Sequence, residues 1–376
     1  MSKDQARRSE KAGILRLFRE MGSALAMALI AIIYVIQAFK IPTGSMEDSL
    51  LVGDMLLGLK FIYGAPIVPF SQDLGITTRF PAFADPKPGD VVIFKYPGTE
   101  RKDYIKRNIA GPGSTVEIRN QLVLVDDIPI ELPPDGKYIT GNTLDPRISF
   151  FAPLEIPAEG DVLIPQLMPV REFLFFKHLV RQENPRRDVS IDFSLYLDGE
   201  FSNDARFPAF NTTITLNDLL SGRVTVFNRL KNKQVPFDFN TIDDWVELDN
   251  VLKHVESGVQ KRYPDAEIEL RKHVYIDGQE IEEYQVRFDN YFMIGDNRNN
   301  SMDSRYWGYV NRNYIKAKAF ILYMSLDSGF PWIRWDRLGR LIRSYNLTAQ
   351  ESFATETTDN ELAHALEHGH VPEDDN

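Results

Sequence analysis

From Gly22 to Phe39 the chain reads GSALAMALIAIIYVIQAF, a run without a charged residue. At 1.5 Å per residue this makes about 27 Å of helix, close to the roughly 30 Å hydrocarbon core of a bilayer. The pattern predicts a single transmembrane helix over 22–39. Lys3, Arg7, Arg8, Lys11, Arg16 and Arg19 precede the run, against Asp4, Glu10 and Glu20. That excess of positive charge orients 1–21 toward the cytoplasm and everything after Phe39 outward. A buried core helix or a cleaved signal segment would share the composition, but no second run of this length follows.

Beyond the run the pattern turns β-rich. Leu50–Phe61 and Asp90–Tyr96 are dense in apolar and β-branched residues, with turn signals at Gly53-Asp54 and Pro88-Gly89-Asp90. Asp103–Ile109 is a further strand-like run, and Thr115–Ile130 reads as a hairpin. Asp198-Gly199 and Asp277-Gly278 each follow a β-rich stretch and predict two more hairpins. Trp245, Leu248, Leu252, Val255 and Val259 step by three and four, one face of a helix, with Thr241 and Asp244 before it resembling a capping box. Phe173–Val180, after Pro169, predicts a second helix. These readings divide the chain into a β-rich body at 40–125 and 286–346, interrupted by an inserted α/β region at 126–285.

Composition narrows the class. The 376 residues hold no cysteine, which rules out disulfides and thiolate-bound metal. The net charge of −11 is concentrated at the C-terminus, where Glu351 and the residues after it include eight acidic residues and no Lys or Arg. The body is near neutral, so no basic face offers itself to nucleic acid. Segment 347–376 has few large apolar residues and is expected to stay disordered.

Ser45 lies six residues past Phe39, in Ile41-Pro42-Thr43-Gly44-Ser45-Met46. A serine hydroxyl needs a base to act as a nucleophile near neutral pH. None of the six histidines stands in a triad context, and His364, His368 and His370 fall in the acidic tail. No G-x-S-x-G surrounds Ser45, and HExxH and phosphate-loop patterns are absent. A neutral lysine can replace histidine. Lys106, in Asp103-Tyr104-Ile105-Lys106-Arg107, has apolar neighbours; lowering its pKa from about 10.4 to roughly 8 takes about 3 kcal/mol of desolvation. A surface lysine on a strand is the plain alternative. The third cluster is GDNRNNSMDSRYWG at 295–308, whose polar density suits either a side-chain network or a turn-rich loop.

PTGSM at 42–46, YIKR at 104–107 and GDNRNNSMDSR at 295–305, in this order after an N-terminal anchor, closely resemble the type I signal peptidases, membrane-bound Ser/Lys endopeptidases. PKPGDVVIFKYP at 86–97 and IRWDRLGRLI at 333–342 extend the likeness, while the long intervening region matches weakly. The resemblance implies a mainly β fold: a single N-terminal transmembrane helix, an antiparallel-β catalytic core and an inserted α/β cap. It implies Ser45 as nucleophile, Lys106 as general base and Ser301 as the residue that hydrogen-bonds and orients Lys106. Thr43 and the Ser45 N–H would form the oxyanion hole. Asp303 and Arg305 would pair, with Arg107 and Asp296 as a second brace. Phe39, Ile41, Met46, Tyr104 and Ile105 would line the substrate subsites. Asp48-Ser49 and Asn299 depart from the family pattern. No metal or cofactor is implied. The implied partners are signal peptides of exported preproteins and the lipid bilayer, and the implied place is the outer side of the cytoplasmic membrane. A processing protease of narrower substrate range, or an inactive membrane-tethered binding protein on the same fold, would carry the same framework.

Overall fold

The computed structural model describes residues 3–68, 77–98, 102–138, 145–228, 233–327, 329 and 332–345. The acidic segment 347–376, with its three histidines, lies outside the described residues. Helix α1 spans Lys3–Ile30 and runs on through a π-helical turn at Ala31–Val35. Arg16–Val35, the helix and its π-helical turn together, is long and apolar enough to cross a membrane, and among the described residues its apolar stretch is left largely exposed, with Tyr34 near its end bonded to Ile67 O and packed on Phe80.

The expectation of one helix over 22–39 is corrected at its end. Ile36–Lys40 is a strand, β1, paired antiparallel with β2 (Asp54–Leu59) in a register from Ile36↔Leu59 to Lys40↔Met55. Ile and Phe suit a strand as well as a helix, and β2 supplies pairing groups that a single-chain hydropathy pattern cannot reveal. The link from anchor to Ser45 is therefore a hydrogen-bonded ribbon. At about 3.4 Å per residue its five residues span roughly 17 Å, so the sheet, and not a slack tether, sets the position of Ser45 relative to the helix.

The main sheet adds β3 (Val91–Lys95), β4 (Asp103–Ala110), β5 (Asn290–Ile294), β6 (Val310–Asn311) and β7 (Ile315–Ser325). Its order is β1-β2-β7-β3-β4-β5-β6, antiparallel throughout. At β3 both faces are covered, and the alternation along it shows this. Val91 and Ile93 join Phe39, Leu56 and Ala317 on one side, whereas Val92 and Phe94 join Met293, Trp307 and Ile315 on the other. A strand buried on two faces must be apolar continuously, as VVIF is.

Thr115–Ile130 is a three-stranded meander and not the expected hairpin: Thr115–Arg119, Leu122–Val125 and Ile128–Pro129. Two left-handed pairs make its turns, Asn120-Gln121 (φ 50° and 69°) and Asp126-Asp127 (φ 53° and 64°). Positive φ at both central residues is what a tight two-residue hairpin turn requires, and Asp198-Gly199 and Asp277-Gly278 supply it at the two hairpins expected there. Phe150–Glu155 joins the meander sheet. The division at 126 thus passes through one sheet, and Phe151 and Leu154 pack with Ile109, Val116 and Phe292 of the body.

The inserted region is built on a second sheet, Val189–Leu197 paired with Ile268–Ile276 along their full length. Helices Val170–Glu183 and Trp245–Arg262 bury Phe173, Leu174, Leu248, Leu252, Val255 and Val259 in a core shared with it. The second helix is capped by Asp244, whose carboxylate accepts from Val246 N at 3.0 Å. Thr241 is not the cap; it ends a short 3₁₀ turn, and its hydroxyl donates to Asp238 O.

Candidate active site

Ser45 sits on the 3₁₀ turn Gly44–Met46, directly after β1. Met46 and Leu50 are buried beneath it and pin the turn to the sheet. From the other side the loop after β5 holds its backbone: Asn297 N donates to Ser45 O at 3.2 Å and Asn297 Nδ2 to Gly44 O at 3.0 Å. Lys106 lies mid-way along β4, opposite Val92, with its side chain 1% exposed. Lys106 Nζ is 2.5 Å from Ser45 Oγ. The ring of Tyr104, on the same face of β4, stands 5.4 Å from Nζ.

Burial pushes the Lys106 ammonium down to about 8. Asp303 opposes this by favouring the charged form, Arg305 adds to it, and Asp296 opposes it again. A lowered lysine is not sufficient by itself. Lys177 is also buried and also pushed to about 8 by desolvation, but its Nζ donates to the carbonyls of Asn240 and Ile242. Among the described residues only Lys106 combines the shift with a hydroxyl at bonding distance.

Two buried ion pairs frame Ser45 and Lys106. Arg305 grips Asp303 at 2.8 Å through both Nε and Nη2, and Asp303 Oδ2 accepts from Gly295 N at 3.0 Å. Burial alone would raise the Asp303 carboxyl; Arg305 reverses this and holds it below the ordinary range. Arg107 grips Asp296 in the same two-pronged way, at 2.8 and 2.6 Å. Asp296 also accepts from Ser49 Oγ at 2.6 Å, so Ser49, one of the two departures after the nucleophile, is wired into the brace.

Gly295 is where these parts meet. A Cβ added there would lie 2.2 Å from Ser301 Oγ and 2.5 Å from Ser45 O, closer than real side chains approach. Gly295→Ala is expected to push the Ser45 turn off the lysine. A displacement near 1 Å costs about 100-fold in rate. Steady-state cleavage by the folded variant measures it, and a loss below threefold would show that the turn absorbs the methyl.

Ser301 differs from expectation. Its buried hydroxyl makes no hydrogen bond of sound geometry, to Lys106 or to any other group, although it lies close enough to Asp303 to favour the carboxylate. In this conformation Ser301 faces Gly295 and Asp303. Thr43 is exposed, with its side chain uninvolved in capping the turn that carries Ser45. Phe39, Ile41, Met46 and Ile105 come together in one buried cluster with Leu50 and Ile93. Tyr104 lies on the opposite face of β4, packed with Tyr96 and Trp307. Sequence reasoning missed Gly295, Asn297 and Lys137. Lys137 pairs with Asn297 through a backbone bridge and salt-bridges Glu47 and Asp48, fastening the far side of the nucleophile turn. No group of side chains suited to a metal ion occurs among the described residues.

A profile of the family described as signal peptidase, peptidase S26, matches residues 14–178 and 243–324, more than half of the chain. The signal peptidase I of Helicobacter pylori is 25% identical over 310 residues, covering 81% of this chain and 80% of its own length. That of Aquifex aeolicus is 26% identical over 297 residues, covering 78% and 77%. That of Buchnera aphidicola subsp. Acyrthosiphon pisum is 27% identical over 316 residues, covering 82% and 76%.

Proposed function

Because the chain belongs to the signal peptidase family, peptidase S26, we propose that Ser45 is its nucleophile and Lys106 its general base. The chain is a serine endopeptidase that removes signal peptides from exported preproteins. The observation that carries the assignment is the 2.5 Å approach of a buried Lys106 Nζ to Ser45 Oγ. Neutral Lys106 takes the Ser45 proton as Oγ attacks the carbonyl at the end of the signal peptide. The oxyanion that develops meets the Ser45 N–H and the Thr43 hydroxyl, donors worth most when charge appears only in the transition state. Lys106, now an ammonium, gives its proton to the leaving amine of the mature protein, and the signal peptide remains as an ester on Ser45. Lys106 then deprotonates a water that hydrolyses the ester and frees the serine.

Asp303, Arg305 and Ser301 support Lys106 by fixing the loop from Gly295. Phe39, Ile41, Met46 and Ile105 shape the apolar ground beneath the small substrate side chains, and Tyr104 walls Lys106 from water. The catalytic body takes in 36–155 and 286–345, with 156–285 as the inserted cap. The anchor sits in the cytoplasmic membrane with Arg16 and Arg19 on the inner side and the sheet outside, in contact with the bilayer where a signal helix emerges.

The test is cleavage of a preprotein by the detergent-solubilised protein across pH, with mass spectrometry of the new N-terminus. Lys106 must be neutral to act, so activity rises with pH and reaches half its plateau near the value of about 8 that burial imposes. A rise only near 10 would mean that the lysine is solvated and the dyad reading is wrong.

A further inference from the structure

The segment IRWDRLGRLI at 333–342 lies past residue 324, where the match to the family ends, and it carries neither Ser45 nor Lys106. It runs antiparallel beside β7, from the bridge Ile333↔Leu326 to the bridge Leu341↔Ile321. Between them Gly339 N donates to Leu322 O at 2.8 Å. The 3₁₀ turn Trp335–Arg337 in this strap exposes Trp335 and Asp336 but buries Arg337, which is 5% exposed.

Arg337 grips Asp54 at the start of β2. Its Nε donates to Oδ1 at 3.1 Å and its Nη2 to Oδ2 at 2.6 Å. Asp54 is itself buried, and Ser325 Oγ of β7 donates to its Oδ1 at 2.6 Å. This is a further buried ion pair beside Arg107–Asp296 and Arg305–Asp303. A guanidinium has five N–H donors in a fixed fork, so Nη2 has a second proton. It goes to Ser49 O, 3.2 Å away.

Ser49 belongs to the return from the Ser45 turn to β2, and residues 49–52 of that return lie outside every strand. Side chains from elsewhere hold it instead. Leu51 N donates to Asp54 Oδ2 at 2.8 Å, and Arg334 Nη1 donates to Val52 O at 3.1 Å. Ser49 is held by both of its oxygens: the hydroxyl donates to Asp296 at 2.6 Å, and the carbonyl accepts from Arg337. Leu50 N donates to Met46 O at 2.6 Å, so a shift of the return is passed to the turn that carries Ser45.

We propose that Arg337 is a positioning residue for signal-peptide cleavage: its guanidinium, seated on Asp54, holds Ser49 O and so keeps the Ser45 turn against Lys106. The proposal rests on the Ser45/Lys106 reading. Two roles of the guanidinium are separable. Its pairing with Asp54 neutralises a buried charge and bears on stability. Its bond to Ser49 O fixes a segment four residues from the attacking hydroxyl and bears on rate, because small displacements from attack geometry lower turnover steeply. A variant that removes both charges together therefore tells positioning from stability.

The experiment is kcat and KM per folded molecule, with the thermal midpoint in detergent, for full-length Arg337→Met, Arg337→Met combined with Asp54→Asn, Arg337→Lys and Leu252→Ala. Arg337→Met leaves Asp54 charged and buried, so midpoint and kcat should both fall. In the double variant that charge is gone, the amide keeps an acceptor for Leu51 N and a donor for Ser325 Oγ, and Arg334 keeps Asp327 at 3.2 Å. Its midpoint should return toward wild type while kcat stays about tenfold down and KM stays within about threefold. Arg337→Lys keeps a cation for Asp54 but loses the fork that spans Asp54 and Ser49 O, and should show the same split in smaller measure. Leu252→Ala, in the cap core, should lose stability with kcat unchanged. A double variant as fast as wild type would overturn the proposal, as would a kcat that follows the midpoint through every variant, Leu252→Ala included, or a loss confined to KM. If the double variant does not fold, Arg337→Lys decides by the same criteria. Full activity in Ser45→Ala would instead sink the dyad on which the proposal stands.

Discussion

Lys106→Met is expected to abolish preprotein cleavage, with a fall of about 10,000-fold or more at pH 8. Methionine nearly matches the lysine stem in volume and removes a charge-bearing group from a site only 1% exposed, so the fold should hold. What is lost is the acceptor 2.5 Å from Ser45 Oγ. Lys106→Arg sharpens the point. It keeps a cation and hydrogen-bond donors but does not deprotonate, so an enzyme that needed only positive charge would survive it, and one that needs a base would not. Ser45→Ala should cost as much, and the double variant no more than either single one, because residues that act as a unit fail together. Turnover within tenfold of wild type for Lys106→Arg would remove the lysine from the role of base.

Asp296→Ala should cost about 3–5 kcal/mol of stability, the usual consequence of removing one partner of a buried ion pair. Arg107, 1% exposed, would be left charged with only the carbonyls of Gly89 and Arg343 to satisfy it. The same change frees Ser49 Oγ, so the segment after the nucleophile loosens along with the strand that carries Lys106. Stability and rate should therefore fall together: a lower thermal midpoint in detergent, and a lower kcat for the fraction still folded. Asp296→Asn, which retains one acceptor oxygen, should lie between. A variant as stable as wild type would show that the Arg107–Asp296 pair contributes nothing beyond its own desolvation cost.

The chemistry of the site was legible in the sequence where the decisive residues stand in short motifs. Ser45, Lys106, the Asp303–Arg305 pair and the Arg107–Asp296 brace could all be named, and the geometry brings each set together. What stayed hidden depends on contacts between distant positions. Gly295 matters because Ser45 O and Ser301 Oγ converge on it, and nothing local to a glycine before an aspartate announces this. Asn297 and Lys137 secure the nucleophile turn from segments more than ninety residues away along the chain. The end of the anchor was misread for a different reason. Ile36–Phe39 is as apolar as the helix before it, and only the partner strand Asp54–Leu59 decides that it extends.

The protonation of Lys106 itself is the central claim, and it is open to direct measurement. In protein labelled with ¹³C at lysine Cε, the resonance that vanishes in Lys106→Arg identifies the group, and its shift followed over pH gives its titration. The account predicts a midpoint near 8, set by burial between Tyr104 and the Ser45 turn. A midpoint above 10, the value of a lysine in water, would contradict it.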